Sequence, residues 1–329
     1  MYTTPFHTTD ISQQTFLVTG GAGFIGSNIV DYLIKYKAGK VRVLDNLATG
    51  FEDNIKAYYT NPNFEFVQGD ICDLATCHTA MKGVDYVFHQ AALGSVPRSI
   101  ENPIATNNAN VNGFLNVLIA ARDAKVKRLV YASSSSVYGD SQALPKIEAV
   151  IGKPLSPYAV SKLVNEQYAD IFAKTYQMQI VGLRYFNIFG PKQNPKGAYA
   201  AAIPLFMDAL VKNVSPFING DGEQTRDFTF VENAVQANVK AMFAQDATVS
   251  PDVFNIAVGE RVSVKQLFEI LRNIANSSLQ ATHRNERAGD VRDSLADISK
   301  AQSKLGFKPT VQCEQGLKIT FDWFQKNMK

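Results

Sequence analysis

The sequence predicts an α/β fold, a doubly wound parallel Rossmann sheet with a second, smaller α/β lobe. In the first half of the chain, short apolar runs alternate with segments of helical periodicity. Continuous apolar strands separated by helices are typical of a parallel sheet that is covered on both faces. A glycine-rich turn at residues 20–26 stands between the first apolar run and the first helical segment. This is where such folds pass from a strand into a helix.

Six apolar runs are the expected strands of the main sheet, since each is short and bounded by turn residues. They cover residues 15–19, 40–45, 63–67, 85–89, 127–133 and 179–185. Two long helices are expected between later strands, at residues 103–124 and 157–176. Pro103 lies near the start of the first of these helices, where proline is well tolerated.

After residue 185 the alternation changes, beginning with a loop rich in proline, glycine and lysine at residues 190–199. A strand at residues 253–258 is expected to return to the main sheet. The other predicted elements are a strand at 216–219 and helices at 203–212, 263–276, 299–305 and 314–329. We therefore expect a Rossmann domain over residues 1–186, rejoined by residues 228–260, and an interleaved lobe over residues 187–329.

Composition excludes several classes of protein. The chain has 329 residues, a net charge of +3 and a pI near 8.6, too mild to indicate nucleic acid or an anionic membrane as a partner. No stretch approaches 18 apolar residues, and the first 14 residues lack the apolar core of a secretory signal. The three cysteines have no metal-ligand spacing, so no metal is expected. We expect a soluble cytoplasmic protein.

The glycine-rich turn predicts a dinucleotide site. Gly20, Gly23 and Gly26 allow a tight turn, close approach of a pyrophosphate and close packing of helix on strand. Free N–H groups at the start of the helix favour phosphate binding. Asp45 ends the second strand, where a carboxylate binds the adenosine ribose and repels a 2′-phosphate, so NAD is favoured over NADP. A tight turn that Asp45 merely caps is the alternative.

Other candidate cofactor residues adjoin the turn and the ends of the second and third strands. Asp70 follows the third strand, where its carboxylate can accept a hydrogen bond from the adenine amine. The remaining candidates of this group are Phe24, Ile25, Asn46 and Ile71.

Tyr158 and Lys162 form a candidate proton-transfer pair. Residues four apart lie on one helical face, so the lysine ammonium can lower the pKa of the phenol. A serine run at residues 133–136 ends the fifth strand and supplies a hydroxyl for the same substrate oxygen. Tyrosine and lysine at this spacing also occur on many surface helices, so the pair gains its meaning from the dinucleotide site.

Together these motifs resemble those of the extended short-chain dehydrogenase/reductase family. The resemblance extends from Thr19 to about Lys304. Within the family, the chain is most similar to the UDP-sugar 4-epimerases, and especially to those that act on UDP-N-acetylhexosamines. The matching segments are TGGAGFIG (19–26), HQAA (89–92), NVNG (110–113), SVYG (136–139), SPYAVSK (156–162) and RYFNIFGP (184–191).

The resemblance implies roles for the catalytic residues. Tyr158 would remove the 4-OH proton of the sugar while the C4 hydride passes to NAD, and Lys162 would lower the pKa of Tyr158 and hold the nicotinamide ribose. Counting back from residues 137–139 places the catalytic serine at Ser134. Related dehydratases carry an acidic pair where Ser135 and Ser136 stand, so the resemblance favours epimerisation over elimination. Ser133 and Ser135 would be supporting or substrate-facing.

The resemblance also adds residues to the cofactor site. Asn110 matches an asparagine that orders its helix or a water, although a hydrogen bond within the helix is an equal alternative. The other cofactor residues that the resemblance implies are Ala91, Ala92 and Tyr185.

The substrate site is implied in the same way. Arg226 and Arg287 match arginines that grip the UDP diphosphate, a role that suits the guanidinium fork, although a surface ion pair is the alternative for each. Ser294 stands where epimerases restricted to unacetylated hexoses carry a bulky tyrosine, so it would leave room for an acetamido group. Ser95 would touch that group. The remaining expected contacts are Ser134 and Ser135 to the sugar, Asn187 to a phosphate, Asp290 to the uridine ribose, and Ala201, Ala202 and Phe217 to uracil.

We therefore expect reversible C4 epimerisation of UDP-N-acetylglucosamine and UDP-N-acetylgalactosamine. The alternatives are a UDP-glucose or UDP-glucuronate 4-epimerase and, from another class, a non-catalytic Rossmann redox sensor. Retention of Tyr158 and Lys162 argues against the sensor. The resemblance also implies a role in polysaccharide biosynthesis and a homodimer joined through the helices that follow Pro103 and Pro157.

Overall fold

A seven-stranded, all-parallel sheet forms the centre of the protein. The computed structural model describes residues 1–195, 201–245, 249–285 and 292–327. The strands of the main sheet are β1 (Thr15–Thr19), β2 (Lys40–Asp45), β3 (Phe64–Gln68), β4 (Tyr86–His89), β5 (Arg128–Ser134), β6 (Ile180–Tyr185) and β11 (Asp252–Ile256). Their order is β3-β2-β1-β4-β5-β6-β11, with every neighbouring pair parallel. The doubly wound fold predicted from the sequence is confirmed.

Short two-stranded sheets and eleven helices complete the described part of the chain. The short strands are β7 (Ile188–Phe189), β8 (Phe217–Asn219), β9 (Thr225–Arg226), β10 (Thr229–Phe230), β12 (Val262–Ser263) and β13 (Thr282–Arg284), paired as β7 with β10, β9 with β12 and β8 with β13. The helices are α1 (Phe24–Lys35), α2 (Leu74–Met81), α3 (Val96–Glu101), α4 (Pro103–Asn107), α5 (Gly113–Asp123), α6 (Pro157–Tyr176), α7 (Ala202–Val211), α8 (Val231–Phe243), α9 (Val264–Ile274), α10 (Ser299–Leu305) and α11 (Cys313–Asn327).

The predicted strands of the main sheet lie within about two residues of their observed bounds, and the expected return of a late strand is confirmed. β11 pairs with β6 over Asp252 to Ile256. The return brings residues far apart in sequence to the same edge of the sheet, beside the carboxyl end of β6.

The helix predicted at residues 103–124 is confirmed as helical structure from Pro103 to Asp123, with one irregularity. A π-helical turn at Asn108–Asn112 separates α4 from α5. The Asn110 side chain accepts a hydrogen bond from the Leu93 N–H at 2.8 Å and donates one to the Ser161 hydroxyl at 3.0 Å. A wider turn of this kind commonly marks a functional position.

Helix α8 was missed in the sequence because its buried residues mix apolar side chains with amides. Asn233 and Asn238 are fully buried and Gln236 nearly so. Their amides bond to partners elsewhere in the fold: Asn233 donates to the Val311 carbonyl at 2.7 Å, and Gln236 accepts from the Lys308 N–H at 2.9 Å. A helix that is buried over most of its surface, with its amides hydrogen-bonded, does not separate into an apolar and a polar face.

The first fourteen residues pack along α1. Tyr2 is buried, its N–H donates to Glu232 at 3.0 Å, and its hydroxyl donates to the Asn28 carbonyl at 3.1 Å. The Phe6 ring stacks on Tyr32. This segment therefore ties α1 to α8 on one face of the sheet.

Candidate cofactor and substrate sites

The glycine-rich turn has the geometry expected of a phosphate-binding turn. Gly20 has φ +69°, and a Cβ there would lie 2.6 Å from the Ala91 nitrogen. A Cβ on Gly26 would lie 2.1 Å from the Gly20 carbonyl oxygen. Gly23 is the N-cap of α1 and has no side chain to cover the first N–H groups. Only glycine lets the backbone come this close, so the turn offers open amides to a phosphate.

A cavity of about 360 Å³ opens beside this turn, at the carboxyl ends of β1, β2, β3 and β4. Eight of the predicted cofactor residues line it: Gly20, Gly23, Asp45, Asn46, Asp70, Ile71, Ala91 and Ala92. Phe24, Ile25 and Gly26 belong instead to the first turn of α1. The ends of parallel strands are the expected place for a dinucleotide.

Asp45 and Asp70 anchor the loops around this cavity. Asp45 accepts from the Ala22 N–H at 2.9 Å and the Leu47 N–H at 2.8 Å, and burial raises the pKa of its carboxyl group. Asp70 accepts from Asn46 at 2.9 Å. Each carboxylate oxygen has two lone pairs, so these bonds leave acceptor capacity for a ribose or an adenine amine.

Tyr158 and Lys162 lie in the first two turns of α6, beside the end of β5. The Lys162 side chain is buried, and its ammonium lies 5.9 Å from the centre of the Tyr158 ring. The ammonium donates to the Ala132 carbonyl at 2.8 Å. Ser134 ends β5, and its hydroxyl accepts from the Ser136 N–H at 3.1 Å. The structure thus brings Tyr158, Lys162 and the end of the serine run together.

The predicted lowering of the Tyr158 pKa by Lys162 is not what the structure shows. Burial raises the pKa of Tyr158, and hydrogen bonding with Ser134 offsets only part of that rise. Burial also lowers the pKa of Lys162 to about 8, with the Glu166 carboxylate acting against it. Since both groups are desolvated and the ammonium bonds to Ala132, desolvation outweighs the attraction between them.

The serine run serves more than one purpose. The Ser133 hydroxyl points away from Ser134 and donates to Glu166 at 2.5 Å. Ser135 is half-buried in a 3₁₀ turn at Ser135–Tyr138, directly after Ser134. Ser133 is therefore a supporting residue, one of the two roles left open for it.

Tyr185 and Asn110 form hydrogen bonds with residues that line the first cavity. The Tyr185 hydroxyl accepts from Asn238 at 2.7 Å and donates to Gln90 at 3.2 Å. Gln90 in turn donates to Asn238 at 3.1 Å and lines the cavity. Asn110 holds both the N–H and the carbonyl of Leu93, another lining residue. Gln90 and Asn238 were missed as site residues because neither carries a charge or a recognised role.

A second cavity, of about 270 Å³, contains most of the predicted nucleotide contacts. Asn187, Ala201, Ala202, Phe217 and Arg226 all line it. Three further lining residues, Asn219, Gln224 and Arg284, were not predicted from any motif. The Arg284 guanidinium lies 5.4 Å from the centre of the Phe217 ring and donates to Asn219 at 2.6 Å. A flat cation and an exposed ring at the mouth suit a planar ligand.

The remaining predicted substrate residues lie at the edges of these sites. The Ser294 N–H donates to the Thr225 carbonyl at 3.2 Å, which places Ser294 beside the strand that carries Arg226. Ser95 is the N-cap residue of α3 and has φ +119°, a strained value of a kind that clusters at functional positions. Arg287 and Asp290 lie outside the described residues.

No group of three His, Cys, Asp or Glu side chains within the described ranges is placed to hold a metal ion. In the same ranges, no helix combines the length and apolarity that crossing a bilayer requires.

Comparisons with known proteins relate this site to a family. Residues 16–257 match the model of the NAD dependent epimerase/dehydratase family. A Methanocaldococcus jannaschii protein provisionally named UDP-glucose 4-epimerase is 40% identical over 313 residues, which cover 94% of this chain and 98% of that protein.

Two solved structures are similar over nearly the whole chain. One is the UDP-N-acetylglucosamine 4-epimerase of Methanobrevibacter ruminantium, 39% identical with a TM-score of 0.90 over 96% of this chain and 99% of that one. The other is the UDP-glucuronic acid 4-epimerase of Bacillus cereus, 30% identical with a TM-score of 0.88 over 95% of this chain and 99% of that one. The parallel sheet, the glycine-rich turn and the match over residues 16–257 lead to the same conclusion. The chain belongs to the NAD dependent epimerase/dehydratase family, and its cofactor is NAD.

Proposed function

We propose that the protein is an NAD-dependent UDP-sugar 4-epimerase that interconverts UDP-N-acetylglucosamine and UDP-N-acetylgalactosamine. The observation that carries this proposal is the meeting of Tyr158, Lys162 and Ser134 at the end of β5, in a chain that also has a lined cofactor cavity and a separate cavity with Arg226. Relatives of similar closeness are named for glucose, N-acetylglucosamine and glucuronic acid. They support C4 epimerisation as the common reaction.

The residues of this chain divide the work of the reaction. Tyr158 takes the proton from the sugar 4-OH and returns it to the same oxygen when C4 is reduced, and Ser134 shares that oxygen through its hydroxyl. Lys162 holds Tyr158 and the nicotinamide ribose in place. NAD held in the cavity beside the glycine turn would supply hydride acceptance from C4 and return of the same hydride.

The diphosphate and base belong to the second cavity. Arg226 and Asn187 bind the diphosphate, while Ala201, Ala202 and Phe217 form the wall for uracil. A substrate held by its nucleotide leaves the sugar free to turn and present either face of C4 to the cofactor site, with its 4-oxygen within reach of Tyr158. Arg287 and Asp290 are proposed for the second phosphate contact and the uridine ribose.

Chemistry beyond C4 would need further acids and bases. Ser135 and Ser136 follow the catalytic serine in the 3₁₀ turn, and neither hydroxyl can act as the strong acid that loss of a 6-hydroxyl needs. The serines at these positions therefore support epimerisation over elimination or decarboxylation.

Ser294 supports the choice of an acetylated sugar. It is half-buried and tied to Thr225, one residue from Arg226. A serine here leaves space that a tyrosine would fill, so an acetamido group can be admitted. Ser95, strained at the start of α3, is the proposed second contact to this group.

We also propose a homodimer. Ile100 and Ile104 on α3 and α4, and Val160 and Ile171 on α6, expose large apolar side chains on helices that pack against one another. Ile104 is 74% exposed. Large apolar side chains left exposed on helices that pack against one another support an interface with a second copy of the chain.

Incubation of the purified protein with each of four nucleotide sugars tests the proposal. UDP-N-acetylglucosamine, UDP-N-acetylgalactosamine, UDP-glucose and UDP-glucuronate are followed by their anomeric proton signals without added NAD. We expect the acetylated pair to convert fastest, because NAD stays bound through a cycle with no net redox change. Conversion of glucuronate or glucose alone would replace the substrate assignment, and no conversion with NAD added would refute the enzyme assignment.

A further inference from the structure

A buried carboxylate stands behind the catalytic pair. Glu166 lies one helical turn beyond Lys162 on the same face of α6, and its side chain is 9% exposed. One carboxylate oxygen accepts from the Ser133 hydroxyl at 2.5 Å and from the Arg184 Nε at 2.9 Å. The other accepts from the Arg184 Nη2 at 2.8 Å. The sequence motif included Ser133 and Arg184, but Glu166 has no role in the function described so far.

Arg184 is held in place by contacts other than the one to Glu166. Its guanidinium lies 4.9 Å from the centre of the Tyr138 ring and donates to the Glu148 carbonyl at 3.1 Å. Burial lowers the pKa of Arg184, but the Glu166 carboxylate outweighs burial and the net direction is upward. A two-pronged bond to a charged, anchored arginine fixes the position of the Glu166 carboxylate.

Helix α6 and strands β4 and β5 contribute the groups found around Lys162. Tyr158 and Glu166 flank it on α6, and β5 contributes the Ala132 carbonyl. On β4, His89 is neutral at working pH, since burial and then the Lys162 charge lower the pKa of His89 to about 3. Burial lowers the pKa of Lys162 to about 8, and Glu166 is the group that opposes this.

We propose that Glu166 is a positioning residue, whose carboxylate, fixed by Ser133 and Arg184, keeps the buried Lys162 side chain charged beside Tyr158. The proposal rests on the proposed function only for the consequence in turnover. The effect of Glu166 on the charge of Lys162 can be measured in the folded protein whether or not it catalyses epimerisation. Ser133 then links the two halves of the site, because its neighbour in β5 is the catalytic Ser134.

The direct test is a titration of Lys162 in the NAD-saturated protein, observed by NMR of lysine labelled with ¹³C at Cε. The Lys162 signal is identified by its absence from the Lys162→Arg variant. In Glu166→Gln, which retains a hydrogen-bonding side chain of the same shape, we expect the Lys162 midpoint to fall by about one pH unit or more. In Glu166→Asp, which retains the charge, the midpoint should stay near that of the parent.

A purely structural role for Glu166 would lower stability in both variants without moving the midpoint. Glu166→Gln leaves Arg184 buried without its counter-charge and can fail to fold. The double variant Glu166→Gln, Arg184→Met removes both charges, and it too should lower the Lys162 midpoint. Asp85→Asn, at the opposite end of the sheet and paired with Lys127 at 2.8 Å, is the matched control and should leave the midpoint unchanged.

An unchanged Lys162 midpoint in a folded Glu166→Gln or double variant would overturn the proposal. Turnover supplies the second readout: the alkaline limb of kcat against pH should move to lower pH by the same amount as the NMR midpoint. A protein without epimerase activity would refute the proposed function while the titration still tested Glu166. Normal epimerisation with an unmoved midpoint would refute Glu166 alone.

Discussion

The Lys162 ammonium donates a hydrogen bond of 2.8 Å to the Ala132 carbonyl, two residues before Ser134 on β5. The lysine on the helix and the serine on the strand are therefore positioned by the same stretch of backbone. Any movement of α6 along the sheet would displace Tyr158 and Ser134 from each other. The catalytic geometry thus depends on how a helix packs on a strand end.

Replacing Tyr158 with phenylalanine should remove the catalytic base and little else. The change deletes one hydroxyl from a buried ring, so the fold and bound NAD should remain. We expect kcat to fall by roughly 10²-fold to 10⁴-fold, in line with the loss of a positioned acid–base group. Anomeric proton NMR measures turnover, and the absorbance of released cofactor measures NAD content. Full activity in this variant would show that another group takes the proton.

Replacing Lys162 with methionine should stabilise the cofactor-stripped protein at neutral pH while it abolishes turnover. The folded pKa of Lys162, about 8, lies below the ordinary lysine value near 10.4, so the charged form opposes folding. This cost is fully present below pH 8 and disappears as pH rises toward about 10.4. The variant also loses the hydrogen bond to Ala132. We therefore expect its free energy of unfolding to exceed that of the parent by about 2 kcal/mol at pH 7.

Denaturant unfolding at pH 7 and at pH 10 checks the sign of this effect. The stabilisation should shrink at the higher pH, because the parent lysine is then neutral in the folded protein. Lys174→Met, which changes an exposed lysine on the same helix, should have little effect at either pH. A gain that does not depend on pH would contradict the desolvation argument.

Gly26→Ala should distort the phosphate-binding turn. The new Cβ would lie 2.1 Å from the Gly20 carbonyl oxygen, and backbone atoms cannot move aside as a flexible side chain does. We expect a loss of about 1–3 kcal/mol in the free energy of unfolding and weaker NAD binding. Gly94→Ala is the control, because a Cβ there has no atom within 4 Å. Equal stability and NAD affinity in the two variants would show that the turn can relax.

Ser294→Tyr should discriminate between sugars. A phenol ring beside Thr225 would occupy the space proposed for the acetamido group. We expect kcat/KM for the acetylated sugars to fall roughly 10-fold to 100-fold, the equivalent of a 1–3 kcal/mol steric cost, with a smaller loss for UDP-glucose. Ser303→Tyr, on the exposed side of α10, serves as the control. An equal loss on both classes of sugar would count against Ser294 as the gate.

Ile104→Asp should weaken the proposed dimer. A charge at the centre of an apolar contact loses its hydration when the partner helix covers it. Light scattering after size exclusion should show that the variant dissociates to monomer at higher protein concentrations than the parent does. Val214→Asp, at another exposed apolar position, should leave the oligomeric state unchanged. A parent protein that is monomeric at all concentrations would refute the dimer.

The order of the central elements could be predicted from the sequence because the signals are local. Apolar runs are strands when both faces are buried, and a glycine turn between strand and helix has one common use. The same reasoning placed Tyr158 and Lys162 on one helical face, where the structure has them. It missed helix α8, whose buried residues mix apolar side chains with amides, and the π-helical turn around Asn110, because both depend on partners elsewhere in the fold.

By itself, then, the sequence determined the doubly wound sheet, the glycine turn and the spacing of Tyr158 and Lys162, since each depends on neighbours in the chain. Only the tertiary structure decided the ionisation of those groups. The pKa of Tyr158 rises because the fold buries the ring, and the charge of Lys162 depends on Glu166 and on Ala132, which another element supplies. Desolvation and long-range contacts arise only when distant segments pack, so no pattern along the chain can reveal them.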